Sequence, residues 1–130
     1  QVRYVGMTSS PEEYMAAADI FSLPSYREGF GSVILEAAAC GIPSVASRIY
    51  GLTDAVAEDE TGLLHEAGNV EGILTALQTL VADDRLRLQM GAAARKRALT
   101  TFSVQRLVAA QMAFYQTILE PSANANSGGQ

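Results

Sequence analysis

Glu28-Gly29-Phe30-Gly31-Ser32-Val33-Ile34-Leu35-Glu36 sets two carboxylates eight residues apart, across a glycine-flanked loop that runs into an apolar helix. The first Glu stands in the loop. The second stands about one turn into the helix, on the side that faces the loop. Backbone N–H groups of Gly31, Ser32 and Val33 point out of the helix start, where the macrodipole favours an anion. The segment therefore offers donors for a phosphate and two acceptors for hydroxyl groups, the combination that a nucleotide sugar requires. The plainer readings are an ordinary loop carboxylate for Glu28 and, for Glu36, a glutamate favoured by the helix N-terminus.

The surrounding elements must place that segment. Val2–Val5 reads as a short strand ended by Gly6, and Ser10-Pro11-Glu12-Glu13 as a helix start with Ser as N-cap, the helix running to about Ala18. Asp19 to Pro24 reads as a buried strand that Pro24 terminates, Ser32–Cys40 as a helix with Gly41 as its C-cap, and Ser44–Ser47 as the next strand. Gly51-Leu52-Thr53 leads a short helix through about Ala57. A turn over Glu58–Gly62 precedes a last strand, Gly62–His65. From Asn69 the pattern is helical: 70–82, then about Arg85–Leu99 after an Asp83-Asp84 cap, then 104–119 with Val104, Leu107, Val108, Gln111, Tyr115, Ile118 and Leu119 along one face. Ser122–Gln130 lacks an apolar anchor and is expected to be a disordered tail after residue 120. Strands alternating with helices predict an α/β fold, a Rossmann-like parallel sheet with flanking helices and closing C-terminal helices. Ligands of such sheets bind outside the carboxyl ends of the strands, where the Ser25–Gly31 loop begins.

At 130 residues and 48% hydrophobic content this is one domain's worth of globular chain. A net charge of −5 and a pI near 4.7 argue against a nucleic-acid partner. The basic run Arg95-Lys96-Arg97 reads as a solvated surface. Cys40 is the single cysteine, so no intrachain disulfide forms; a buried free thiol in a reducing cytoplasm fits. Gln1-Val2-Arg3-Tyr4 has no signal-peptide character and reads as the middle of something. His65 reads as structural or solvent-facing, Glu58-Asp59-Glu60 as a solvated turn rather than a metal site, and Met7, Met15, Met90 and Met112 as core filler. Arg27 is open between a surface residue and an orienter of Glu28, while a Pro-Ser turn accounts for Ser25.

Asp19-Ile20-Phe21-Ser22-Leu23-Pro24-Ser25, Glu28-Gly29-Phe30-Gly31, Glu36-Ala37, Gly41-Ile42-Pro43-Ser44-Val45-Ala46 and Thr61-Gly62-Leu63-Leu64 stand in order. With them the chain resembles the C-terminal donor-binding domain of GT-B glycosyltransferases, in particular the large retaining family 4. The resemblance covers about residues 2–119. It implies that Glu28 hydrogen-bonds hydroxyls of the donor sugar, with backbone amides around Gly29, Phe30 and Gly31 touching the same sugar. It further implies that Ser32 and Val33 donate N–H groups to the diphosphate, that Glu36 holds both ribose hydroxyls, and that Gly6 and Met7 pack on the nucleobase. The enzymes resembled need no metal and no cofactor beyond the nucleotide-sugar substrate. The segment Arg48–Val56 is similar to enzymes that extend lipid-linked bacterial surface polysaccharides, which implies a cytoplasmic parent, peripheral at the inner face of the membrane.

The departures carry expectations too. Family members place two further strand–helix units before this point, with a glycine turn and an Arg/Lys pair that neutralises the diphosphate. They also carry an N-terminal domain that binds the acceptor glycan or lipid-linked saccharide. The chain is therefore expected to be a fragment of a larger enzyme and inactive alone. In the family's strand order, 3-2-1-4-5-6, strand 2–5 would lie two absent neighbours away from strand 19–24. The exposed edges that result predict dimerisation or strand swapping. Two other functions stay open: a GT-B-like sugar-nucleotide epimerase, which turns over donor without an acceptor, and a non-catalytic binding or oligomerisation module.

Overall fold

The computed structural model describes residues 1–119; the expected tail and the stop at Pro121 lie outside the described residues. Its elements are α1 (Pro11–Ala16), β1 (Phe21–Leu23), α2 (Ser32–Ala39), β2 (Ser44–Ser47), α3 (Leu52–Ala55), β3 (Gly62–His65), α4 (Val70–Ala82), α5 (Asp84–Thr101) and α6 (Val104–Leu119). The three strands form one parallel sheet in the order β1-β2-β3, with Phe21 beside Ser44 and Ser44 beside Gly62. As the central strand, β2 is buried on both faces along its whole length, which is why it reads as a short run of small and apolar residues.

Side-chain alternation splits the core into two layers. Ala46 packs with Ile34, Leu52, Ala55 and Val56 on one side of the sheet. Val45 packs with Ala76, Leu80 and Met90 on the other. Alanines join α2 to α5, where Ala38 meets Ala94 and Ala98. Helix ends follow local chemistry. Asn69 caps α4 by accepting from the Gly72 N–H at 3.0 Å, and Asp83 caps α5 by accepting from the Leu86 N–H at 2.9 Å. Cys40 is the last cap of α2, and Gly41 follows it at φ 83°. There the Gly41 N–H donates to the Ala38 carbonyl and the Ile42 N–H to the Ala37 carbonyl, the paired bonds of a Schellman turn.

Several expectations are corrected. Val2–Val5 is not a strand: no strand of the sheet runs beside it, and Val2 and Tyr4 are 102% and 93% exposed. Four alternating residues cannot form a ladder without a neighbour to receive their backbone hydrogen bonds. Ser10 makes no side-chain cap; its N–H instead donates to Thr8 Oγ1. Met15 and Met90 are core residues as expected, but Met7 and Met112 are exposed. Of the two readings of His65, burial supports the structural one, and Cys40 is a half-buried rather than fully buried free thiol. Arg95 and Lys96 are exposed as expected, whereas Arg97 is half-buried against Phe102. No residue of α6 is buried, although apolar residues recur along one of its faces.

Candidate functional site

Pro24 ends β1, and the chain turns out over the carboxyl edge of the sheet. Two hydrogen bonds shape the loop that follows. The Ser25 N–H donates to Oγ of Ser47, the fully buried last residue of β2, at 2.9 Å. Ser25 Oγ in turn donates to Glu28 Oε1 at 2.7 Å. The Glu28 carboxylate is thus tied through one serine to the end of the adjacent strand, with its second oxygen left to accept from elsewhere. Arg27 is exposed. Ser25 does the orienting that the sequence left open for Arg27, and the Ser-x-x-Glu spacing at a strand end was the signal for it.

Gly31 caps α2 in the left-handed region at φ 65°. That backbone conformation favours glycine, and a Cβ there would also stand 2.3 Å from Leu52 Cδ2, which would have to shift. Gly51 repeats the device from the other side. At φ 87° it packs so closely that a Cβ would meet the Gly29 carbonyl oxygen at 2.1 Å. Nothing about Gly51 in the sequence pointed to this contact. Together the two glycines let the Gly29–Gly31 backbone lie directly on the start of α3.

The N–H groups of Ser32 and Val33, in the first turn of α2, have no intrahelical acceptor and face the positive end of the helix dipole. Glu36 follows Ser32 by four residues and shares its helix face. Ser32 and Glu36 line one open groove, of about 460 Å³, together with Leu99 and Phe102. Glu28 lines a second cleft, of about 740 Å³, together with Tyr26, Arg27, Gly29, Ile49 and Tyr50. Among the described residues, none lines both clefts. Phe30, in the loop between Glu28 and Ser32, packs its ring 5.7 Å from Phe102 at 56°. Gly6 and Met7 line neither cleft; they lie in the exposed stretch before α1.

The nearest strong ion pair lies at the end of β2. Arg48 binds both carboxylate oxygens of Glu58, and its Nε sits 3.2 Å from Glu66. Hydrogen bonding from Arg48, opposed by desolvation, holds the Glu58 carboxyl below its ordinary value; the same bonds raise the Arg48 guanidinium. This pairing accounts for one acid of the Glu58-Asp59-Glu60 turn.

A parallel sheet with a polar loop and a glycine-capped helix at its carboxyl edge defines a Rossmann-like domain. Residues 1–97 match the family described as glycosyl transferases group 1. The chain belongs to that family. It is 42% identical over 123 residues to D-inositol 3-phosphate glycosyltransferase of Corynebacterium glutamicum, covering 92% of this chain and 28% of that protein. Sucrose-phosphate synthase from Thermosynechococcus elongatus superposes with a TM-score of 0.76 at 33% identity, covering 81% of this chain and 26% of that one. Anabaena HepE in complex with UDP gives a TM-score of 0.81 at 28% identity, over 88% of this chain and 32% of that one; HepE has also been solved with UDP-glucose. The fold is therefore part of the C-terminal half of a GT-B glycosyltransferase, and the chain spans about a third or less of the length of these relatives.

Proposed function

We propose that this chain is the donor-binding part of a retaining glycosyltransferase, which moves a hexose from a nucleotide-diphosphate sugar to a hydroxyl acceptor in bacterial surface polysaccharide or glycolipid synthesis. The observation that carries the reading is a Ser25-held Glu28 carboxylate on the loop that leads directly into the unpartnered amides at the start of α2. Ser32 and Val33 donate to the diphosphate, whose charge the helix dipole favours, so no metal is called for. Glu36, on the same face as Ser32, accepts from the ribose hydroxyls. Glu28 and the Gly29–Gly31 amides orient the sugar ring. When the bond between the anomeric carbon and the diphosphate breaks, the α2 amides stabilise the departing oxygens. The acceptor hydroxyl bonds to the anomeric carbon from the same face, which retains configuration, and its proton passes to the departing diphosphate. Acceptor binding belongs to a further domain of a parent enzyme, placed in the cytoplasm at the inner face of the membrane; the single free thiol suits that compartment.

UDP-glucose is the first probe, because HepE is solved with it. In an NMR titration of the labelled chain, shifts should cluster at residues 28–36 and be lost in Glu36→Ala and Glu28→Gln. Shifts scattered elsewhere, or unchanged in both variants, would overturn the assignment.

Among the described residues no strand pairs with the outer edge of β1, and the stretch before α1 is exposed. Both features support dimerisation or strand exchange of this chain through that edge. A single monomeric species at high concentration in sedimentation velocity would exclude it.

A further inference from the structure

We propose that Arg97 is a positioning residue for the donor loop, holding Gly29–Gly31 from two sides at once; the proposal rests on the donor-site reading above. Arg97 lies in the last turns of α5, between two exposed routes into solvent that its neighbours Arg95 and Lys96 take. It takes neither. Its guanidinium carbon sits 5.2 Å from the centroid of the Phe102 ring, and Phe102 packs in turn on Phe30. That is the first hold on the loop. Arg97 Nη2 also donates at 3.0 Å to the carbonyl of Asp54, in α3. The first residue before α3 is Gly51, whose backbone rests on the Gly29 carbonyl. That is the second hold.

The contacts close a circuit: Phe30 to Phe102, to Arg97, to Asp54, along α3 to Gly51, and back to Gly29. One cation thus links the two elements that flank the loop, across 43 residues of sequence. The chemistry suits a guanidinium better than an ammonium. A planar group stacks on an aromatic face while its edge donates in a second direction, whereas a point charge must choose. The carbonyls at the end of a short helix lack intrahelical partners and favour a cation. The arrangement also has a cost, because Arg97 Nε is buried without a hydrogen-bond partner. A side chain free to turn into water would not leave a donor unmet. The guanidinium is held where it is by its other two contacts, and the loop is held by it.

The consequence is a preorganised set of donor contacts. The Gly29–Gly31 amides and the Glu28 carboxylate are useful only if the loop stays in one geometry before the ligand arrives. Two glycines give that loop freedom to move, and the Arg97 circuit removes it.

The test uses the labelled chain with Arg97→Met, Arg97→Lys and the control Arg95→Met, read in two ways. In the free chain, backbone order parameters at Gly29, Phe30 and Gly31 should drop in Arg97→Met from about 0.85 towards 0.6 or lower, with Val45 and Ala46 in β2 unchanged. UDP-glucose affinity should fall about tenfold in Arg97→Met. Arg97→Lys should recover part of both losses, and Arg95→Met should match the parent chain. A loop as rigid in Arg97→Met as in the parent sinks the proposal, as does a loosening shared equally by β2, which marks general destabilisation. If the loop loosens but the parent chain ignores UDP-glucose, the circuit stands and the donor-site reading falls. If the parent chain binds and Arg97→Met binds equally well with a rigid loop, the donor site stands and the circuit falls.

Discussion

Helices α5 and α6 are consecutive and similar in length, with opposite fates. By sequence, α6 has the better apolar stripe, with Val104, Leu107, Val108, Tyr115 and Ile118 along one side. None of those residues is buried. α5 has no clear stripe, yet it buries Met90, Gly91, Ala94 and Ala98 and forms the main support of α2. The difference lies in size rather than hydrophobicity. Small residues on α5 bring its backbone against the end of α2, so closely that a Cβ on Gly91 would stand 2.2 Å from the Gly41 carbonyl oxygen. An apolar stripe shows that a helix can use a partner; small residues at a crossing show how near the partner comes.

Substituting one residue in each helix breaks or confirms this contrast. In Gly91→Ala the added methyl must push against a backbone carbonyl that has nowhere to go. Such overpacking costs about 3 kcal/mol, against ~1 kcal/mol gained from the better helix propensity of alanine. A net loss of about 2 kcal/mol is expected, seen as a lower urea midpoint at unchanged slope. Leu107→Asp, on the exposed face of α6, should move stability by no more than ~0.5 kcal/mol, the usual range for an exposed site. If the order reverses, with α6 sensitive and α5 tolerant, the packing described here is wrong.

The same contrast marks what was legible in the sequence. Elements whose signals are local were readable: Pro24 and Pro43 at the ends of strands, Gly31 and Gly41 bracketing α2, Asn69 and Asp83 before α4 and α5. That Glu36 shares the Ser32 face of α2 was readable for the same reason, since helix spacing alone fixes it; that Glu28 and Glu36 line separate clefts was not. What depends on a partner far along the chain was not. Val2–Val5 has the alternation of a strand but no neighbour to pair with. Arg97 looked like its exposed neighbours, because nothing in Arg95-Lys96-Arg97 announces Phe102 beyond the helix end or Asp54 far upstream. Gly51 gave no sign of its contact with Gly29. Ser25 was visible as a turn residue, and only three-dimensional placement shows that it holds the Glu28 carboxylate.

A third, smaller effect separates exposed groups that interact from exposed groups that do not. Glu58 and Arg48 are both well exposed, as the α6 face is, yet they make a two-pronged ion pair between the end of β2 and the turn before β3. Arg48 keeps its charge at any pH at which the protein folds, so the acid alone decides when the pair is lost. The Glu58 carboxyl is held below its ordinary value of 4.5 in the folded chain. The unfolded chain therefore takes up this proton first as pH falls. The pair's contribution is complete above the ordinary carboxyl value and drains away as pH falls through the lower, folded one. Glu58→Gln should consequently be slightly less stable than the parent chain near neutral pH, and the gap should close in acid. Concentrated salt should also narrow it, since both partners face water. A gap that stays constant from neutral pH into the acid range would show that Glu58 acts through packing or neutral hydrogen bonds, and that its pairing with Arg48 contributes nothing that charge can explain.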